Sequence, residues 1–280
     1  MDIGYWQHVA TLGCIHAILA LGFYVTFLTG QFSAAHAAFM GVGAYAAGLM
    51  SMRWGMPFYV AVLLGACVAA AAAALMAGAL RRLSGMILAI ASLAFAEILI
   101  VVLKNTPSLG GALGLTGVPL RANLWHALGV LIVLVFAFVR FERSRLGIGF
   151  RAVRDEGVAA ASIGIDVAGT RTLAFALGGF LCGIAGGLQV HYLGVMEPDE
   201  MGFYMTVALL TFVVVGGRDH FSGPILAAFI FTALPELLRV TSRGRVAIFS
   251  LILILVVIAR PDGLIPRPVF WKWLKRKDKP

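Results

Sequence analysis

The sequence predicts an all-α fold: a polytopic transmembrane bundle of about nine helical spans, with one helical loop standing in water on the cytoplasmic side. Three observations carry this. The 280 residues are 61% hydrophobic and only 12% charged, with a mean hydropathy of +0.95, whereas a water-soluble domain is about half apolar and a quarter charged. Apolar runs long enough to cross ~30 Å of hydrocarbon recur along the whole chain. Charge is gathered between those runs, above all in residues 140–171.

The runs fall at 8–29, 32–50, 57–80, 84–103, 124–140, 171–193, 203–216, 222–239 and 246–260. No Lys or Arg precedes Arg53, so the first run reads as a permanent span rather than a cleaved signal. The second run is rich in small residues and the seventh is short, which leaves either open to being broken or re-entrant. Ala37 with Gly41 and Ala44 with Gly48 in the second run, and Gly179, Gly183 and Gly187 in the sixth, recur every four residues. That spacing lets helix backbones approach in lipid, and packing is the reading we give it. Cys14, Cys67 and Cys182 lie in apolar runs without ligand spacing and read as small core residues.

Charge sets the orientation, because cytoplasmic loops collect Lys and Arg. With 140–171 inside, 16 basic residues fall inside and 6 outside. The N-terminus and the acidic 197–200 stretch are then outside and the C-terminus is cytoplasmic, which requires an odd number of spans. The chain reads as one transmembrane domain, 1–280, with a cytoplasmic loop at 141–170 and a basic cytoplasmic tail at 261–280. Trp271 and Trp273 among the tail's lysines suit the lipid interface, so the net charge of +9 is assigned to membrane topology and not to nucleic acid.

No phosphate-binding loop, zinc-ligand spacing or nucleophile elbow is present in the sequence. The chain is therefore expected not to be an enzyme and to need no cofactor or metal. Any ATP-driven work must borrow its nucleotide site from another subunit. Two intramembrane polar residues stand out as candidates for a substrate path: Glu97, in the middle of the fourth span, and His36, in the second. For Glu97 an interhelical hydrogen bond is the equal alternative; for His36, and for His16, satisfied packing is the competing reading. Glu236 lies near the outer end of its span.

Residues 146–165 of the long loop can form one or two surface helices, with Asp155 as an N-cap for Glu156 to Ile163. Arg151, Asp155 and Ser162 would share one side, and Val153, Gly157, Ala160 and Gly164 the other, small enough for close approach by another protein. Setting topology needs only a few arginines, so an amphipathic stretch of this length points to docking.

The chain resembles the permease subunits of branched-chain amino acid ABC importers, in particular the LivM-like branch. The resemblance rests on residues 29–45 (TGQFSAAHAAFMGVGAY), 110–119 (GGALGLTGVP), 144–156 (SRLGIGFRAVRDE), 214–217 (VVGG) and 260–264 (RPDGL). It implies a partnership with a second, homologous permease subunit, two cytoplasmic ATPase subunits and an extracytoplasmic substrate-binding protein, in a bacterial inner membrane. It also implies a coupling helix in the 141–170 loop, with Arg151, Arg154, Asp155, Glu156 and Gly164 as ATPase-coupling residues. Where many such loops begin Glu-Ala-Ala, this chain has Glu156-Gly-Val, and Phe32-Ser-Ala-Ala-His36 departs from the commoner Ser-Leu-Gly-His. The cargo implied is branched-chain or related amino acids, or small organic acids and amides. An ion-coupled secondary transporter or channel, and a scaffold or quinone-handling subunit, are the alternatives from other classes.

Overall fold

The computed structural model describes residues 3–217 and 220–237, folded as ten α-helices in chain order. They are α1 (Ile3–Phe27), α2 (His36–Arg53), α3 (Phe58–Ala79), α4 (Gly85–Lys104), α5 (Leu124–Arg143), α6 (Arg145–Asp155), α7 (Gly157–Ser162), α8 (Val167–Leu193), α9 (Phe203–Gly216) and α10 (Ser222–Leu237). Two short strands, β1 (Leu115–Thr116) and β2 (Val195–Met196), pair antiparallel with Leu115 opposite Met196.

Six helical stretches among the described residues are long and apolar enough to cross a membrane: Gly4–Phe27, Phe58–Ala79, Gly85–Lys104, Leu124–Arg143, Val167–Leu193 and Pro198–Gly216. The helical membrane bundle therefore stands, with fewer such helices here than the runs of the sequence predict. Two of the differences have a physical cause. Helix α2 is diluted by glycine, alanine and polar residues, and α10 has only 16 residues. The run at 246–260 and the tail at 261–280 lie outside the described residues, as does the side chain of Glu236.

Helices α1, α2 and α8 form the core, with α3 laid against α2 and α8. Helix α8 makes this possible. A Cβ on Gly183 would stand 2.7 Å from Ala66 Cα, and one on Gly179 would stand 2.8 Å from the Ala69 carbonyl oxygen. The glycine repeat of α8 is thus a seam for α3, as its spacing predicts. In α2 the pattern misleads. Gly41 makes room for the Met201 side chain and Gly48 for that of Leu115, whereas the glycine that meets a backbone is Gly43, set against Gly183. The cysteines also divide: Cys14 and Cys182 are buried, and Cys67 is exposed on the outer face of α3.

Helices α4 and α5 lie at the periphery and leave apolar faces uncovered, including Ile87, Ile90, Val101 and Ile132. Basic residues separate by end. Arg53, Lys104 and Arg121 share one end, where Arg53 donates to the Ser108 carbonyl (2.8 Å) and Lys104 pairs with Asp199 (2.6 Å). Arg81, Arg82, Arg140, Arg143, Arg145, Arg151, Arg154 and Arg171 gather at the other, with α6 and α7.

Candidate functional site

Residues 28–35 interrupt the chain between α1 and α2, and all but Gly30 and Phe32 are buried: Thr29 and Ser33 are fully enclosed, and Gln31 is 8% exposed. Buried non-helical backbone persists only where other groups satisfy its polar atoms. Here two other helices do so, and a third holds the first residue of α2. The Ala34 amide donates to Ser92 Oγ of α4 (2.8 Å), and Thr206 Oγ of α9 donates to the Ala34 carbonyl (3.1 Å). Thr26 Oγ of α1 is bonded to His36 Nε2 (2.9 Å). The second run of the sequence is therefore broken at its start, and helical only from His36.

His36 is held on all sides. Its Nδ1 lies 3.3 Å from the Ser33 carbonyl, and the rings of Phe23, Phe39 and Phe175 surround the imidazole. With both ring nitrogens engaged, it serves as a clamp for the broken segment. Glu97 is placed quite differently: it sits on the exposed face of α4, five residues beyond Ser92, with no partner among the described residues. His16 is engaged in packing, bonded to Thr232 of α10 at 2.8 Å.

The arm at the arginine-rich end is two helices, not one. Ser144 Oγ accepts from the Gly147 amide and caps α6, which runs through Asp155. Asp155 is thus a helix end and not the predicted N-cap. Glu156 turns the chain in an extended conformation, and α7 follows. The expected small-residue face points inward and not outward. Val153 and Ala160 turn inward and are buried, while Val158 and Ile163 stand 76% and 77% exposed on an arm surrounded by water-seeking groups. Asp155, Glu156 and Gly164 are exposed, with Gly164 at φ +90°, a conformation that favours glycine, where α7 ends. Arg151 and Arg154 face the bundle. Arg154 lies against Gly30 in the broken segment while its Nε pairs with Asp155 at 3.1 Å, and Arg151 donates to the main-chain carbonyl of Glu142.

Glu142 joins the arm to the spans. From the last turn of α5 its carboxylate accepts from Tyr24 Oη of α1 (3.3 Å) and from the Phe221 amide ahead of α10 (3.3 Å), with His220 Nε2 at 3.4 Å. Burial, and then the Arg151 guanidinium, hold the His220 imidazole below its ordinary value even beside that carboxylate. The pair is therefore read as a hydrogen-bonded contact and not as a full ion pair at neutral pH. The sequence reading missed Glu142; an acid in the last turn of a span, set among Arg140, Arg143 and Arg145, was the available signal. Glu142→Gln removes the charge that two donors share, and is expected to cost about 1–3 kcal/mol. A drop in the melting temperature of the purified full chain would register it, and an unchanged melt would remove Glu142 from the joint.

Comparisons with known proteins agree with this architecture. Residues 6–259 match the family model described as the permease component of the branched-chain amino acid transport system. The chain is 29% identical over 294 residues to the high-affinity branched-chain amino acid transport system permease protein LivM of Escherichia coli, across 92% of this chain and 69% of that protein. The LivM of Salmonella typhimurium matches at the same identity and coverage. The Escherichia coli permease protein LivH is 28% identical over 152 residues, covering 53% of this chain and 48% of LivH. No solved structure matches. A helical membrane bundle with an arginine-rich arm and a family match over most of its length leads to one conclusion: this chain belongs to the permease family of branched-chain amino acid ABC importers.

Proposed function

We propose that the chain is one half of the membrane pore of an ATP-driven importer of branched-chain or related amino acids, or of small organic acids and amides. It would pair with a second, homologous permease subunit, two cytoplasmic ATPase subunits and an extracytoplasmic binding protein, in a bacterial inner membrane. We place the arginine-rich end in the cytoplasm, in keeping with eight basic residues there against three at the other end among those described. The N-terminus is then outside. With the run at 246–260 included, nine spans would return the C-terminus to the cytoplasm.

The observation that carries this reading is the seat of Arg154 on Gly30. A push on α6 and α7 from an ATPase subunit reaches residues 28–35 directly, and from there α4 through Ser92 and α9 through Thr206. Nucleotide-dependent docking would favour one of two bundle arrangements, which is how a partner's binding energy becomes a conformational change. Asp155, Glu156, Gly164 and the apolar tips of α7 would meet the ATPase. Arg151 and Arg154 would pass the motion on.

Glu97 is our candidate for the path. A carboxylate cannot stand in hydrocarbon unpaired, and its own chain leaves it uncovered, so it needs either an aqueous path or the second permease beside it. Facing such a path it would attract the ammonium group of an amino acid. His36 supports this wall from behind through the segment it clamps. Glu97→Gln is expected to lower uptake by roughly tenfold or more with the complex still assembled. Uptake of labelled leucine by proteoliposomes holding the complete complex measures this, with and without ATP. Uptake that follows an ion gradient without ATP would replace the importer reading by the ion-coupled one.

A further inference from the structure

A second site stands apart from both the arm and Glu97. Between the end of α3, the first turn of α8 and the broken segment lies a cavity of 160 Å³, lined by Gln31, Arg81, Val167, Ala168, Arg171 and Thr172. Its polar groups are mostly donors without acceptors. Arg171 Nε is buried and has no partner among the described residues; Arg81, at the mouth, is exposed and forms no hydrogen bond or ion pair with them. Gln31 is more than nine-tenths buried; its amide oxygen accepts from Thr29 Oγ (3.2 Å), and its amide nitrogen has no partner among the described residues. The first turn of α8 adds the positive end of a 27-residue helix. The carboxylate nearest this turn, Asp166, caps the Gly169 amide and lines a neighbouring groove, not this cavity.

Two guanidinium groups, a buried amide and a helix N-terminus around one small cavity are complementary to a tetrahedral oxyanion. An unpaired buried guanidinium nitrogen is costly, and an anion relieves that cost. We propose that this cavity binds a phosphate group, and that the phosphate is the headgroup of an anionic phospholipid. The position favours the lipid over free phosphate: Ala77 is in the last turn of α3 with Arg81 in the turn just after it, and Val167 to Thr172 begin α8, so the cavity lies at the ends of two helices long and apolar enough to span a membrane. A lipid bound there ties together α3, α8 and the segment on which Arg154 rests. The inference does not depend on what the protein carries.

The test uses the delipidated full chain and three probes: phosphatidylglycerol, phosphatidylcholine and inorganic phosphate. Native mass spectrometry counts retained lipid, and thermal melting reads stabilisation. Retention of phosphatidylglycerol over phosphatidylcholine is expected, falling roughly 30-fold in apparent affinity in the Arg81→Gln, Arg171→Gln double variant. Gln31→Leu, which leaves both charges in place, is expected to weaken it less but measurably. Both variants should melt like the wild type in phosphatidylcholine alone, which separates loss of the site from loss of the fold. Equal retention of the two lipids, or a preference that survives both variants, would overturn the proposal. Protection by inorganic phosphate equal to that by phosphatidylglycerol would keep the phosphate site and reject the lipid as its source.

Discussion

Gly183→Val is expected to prevent the bundle from closing. In wild-type protein the α8 backbone at this residue lies directly against α3 and α2, where a Cβ would meet Ala66 Cα at 2.7 Å and the Ala69 side chain at 2.7 Å. Neither obstacle is the end of a flexible side chain, so relief requires whole helices to move apart. Between lipid-embedded helices, packing replaces the hydrophobic effect as the main attraction, and separation forfeits contacts along the full seam. The cost is on the order of 3 kcal/mol or more, toward the high end for overpacking. Gly183→Ala should show a smaller loss in the same direction. Gly129→Val is the control: its Cβ meets nothing within 4 Å, on the exposed face of α5. Thermal unfolding in detergent, followed in a Cys67→Ser background with a thiol dye that reports exposure of buried Cys14 and Cys182, orders the three variants. A Gly183→Val melt equal to that of Gly129→Val would show that the seam is not as close as described.

Val158→Asp with Ile163→Asp is expected to release the ATPase subunits from an otherwise folded permease. Both side chains are more than three-quarters exposed on the α7 arm, where no part of the described chain covers them. Large apolar groups held in water at a rigid tip act as anchors once a partner buries them, and removing such an anchor costs about 2 kcal/mol or more, roughly 30-fold in affinity. Burying a carboxylate against the partner adds a desolvation cost. Affinity capture of the ATPase from co-expressed complex reads the first effect, and the melting temperature of the permease alone should not change. Full retention of the ATPase by the double variant would move the docking face elsewhere on the arm, toward Asp155 and Glu156.

These two expectations differ in how visible their residues are in the sequence. The four-residue spacing of Gly179, Gly183 and Gly187 announces a helix seam, because in lipid only small residues permit such approach. The same argument fails for α2, where Gly41 and Gly48 hold side chains and Gly43, outside the pattern, takes the backbone contact. Spacing identifies a face but not what lies opposite it. In the arm, period counting put Val153 and Ala160 together on a face meant for a partner; they do share burial, one on each side of the break at Glu156, but the face is turned toward the protein's own helices. Glu142 and the burial of residues 28–35 were hidden for another reason. Their partners come from α1, α4, α9 and Phe221 ahead of α10, as many as 172 residues away, and no local pattern records such contacts.

By itself the sequence determined the class of the molecule: a helical membrane bundle with a charged arm at one end and a fourth span bearing an acid. Those follow from hydropathy and charge, which are properties of each stretch alone. Only the tertiary structure decided that His36 is enclosed while Glu97 is uncovered, and that Arg154 rests on a broken segment shared by four helices. Burial and contact are properties of pairs, set by how helices cross, and they emerge only once the glycine seams of α8 have drawn those helices together.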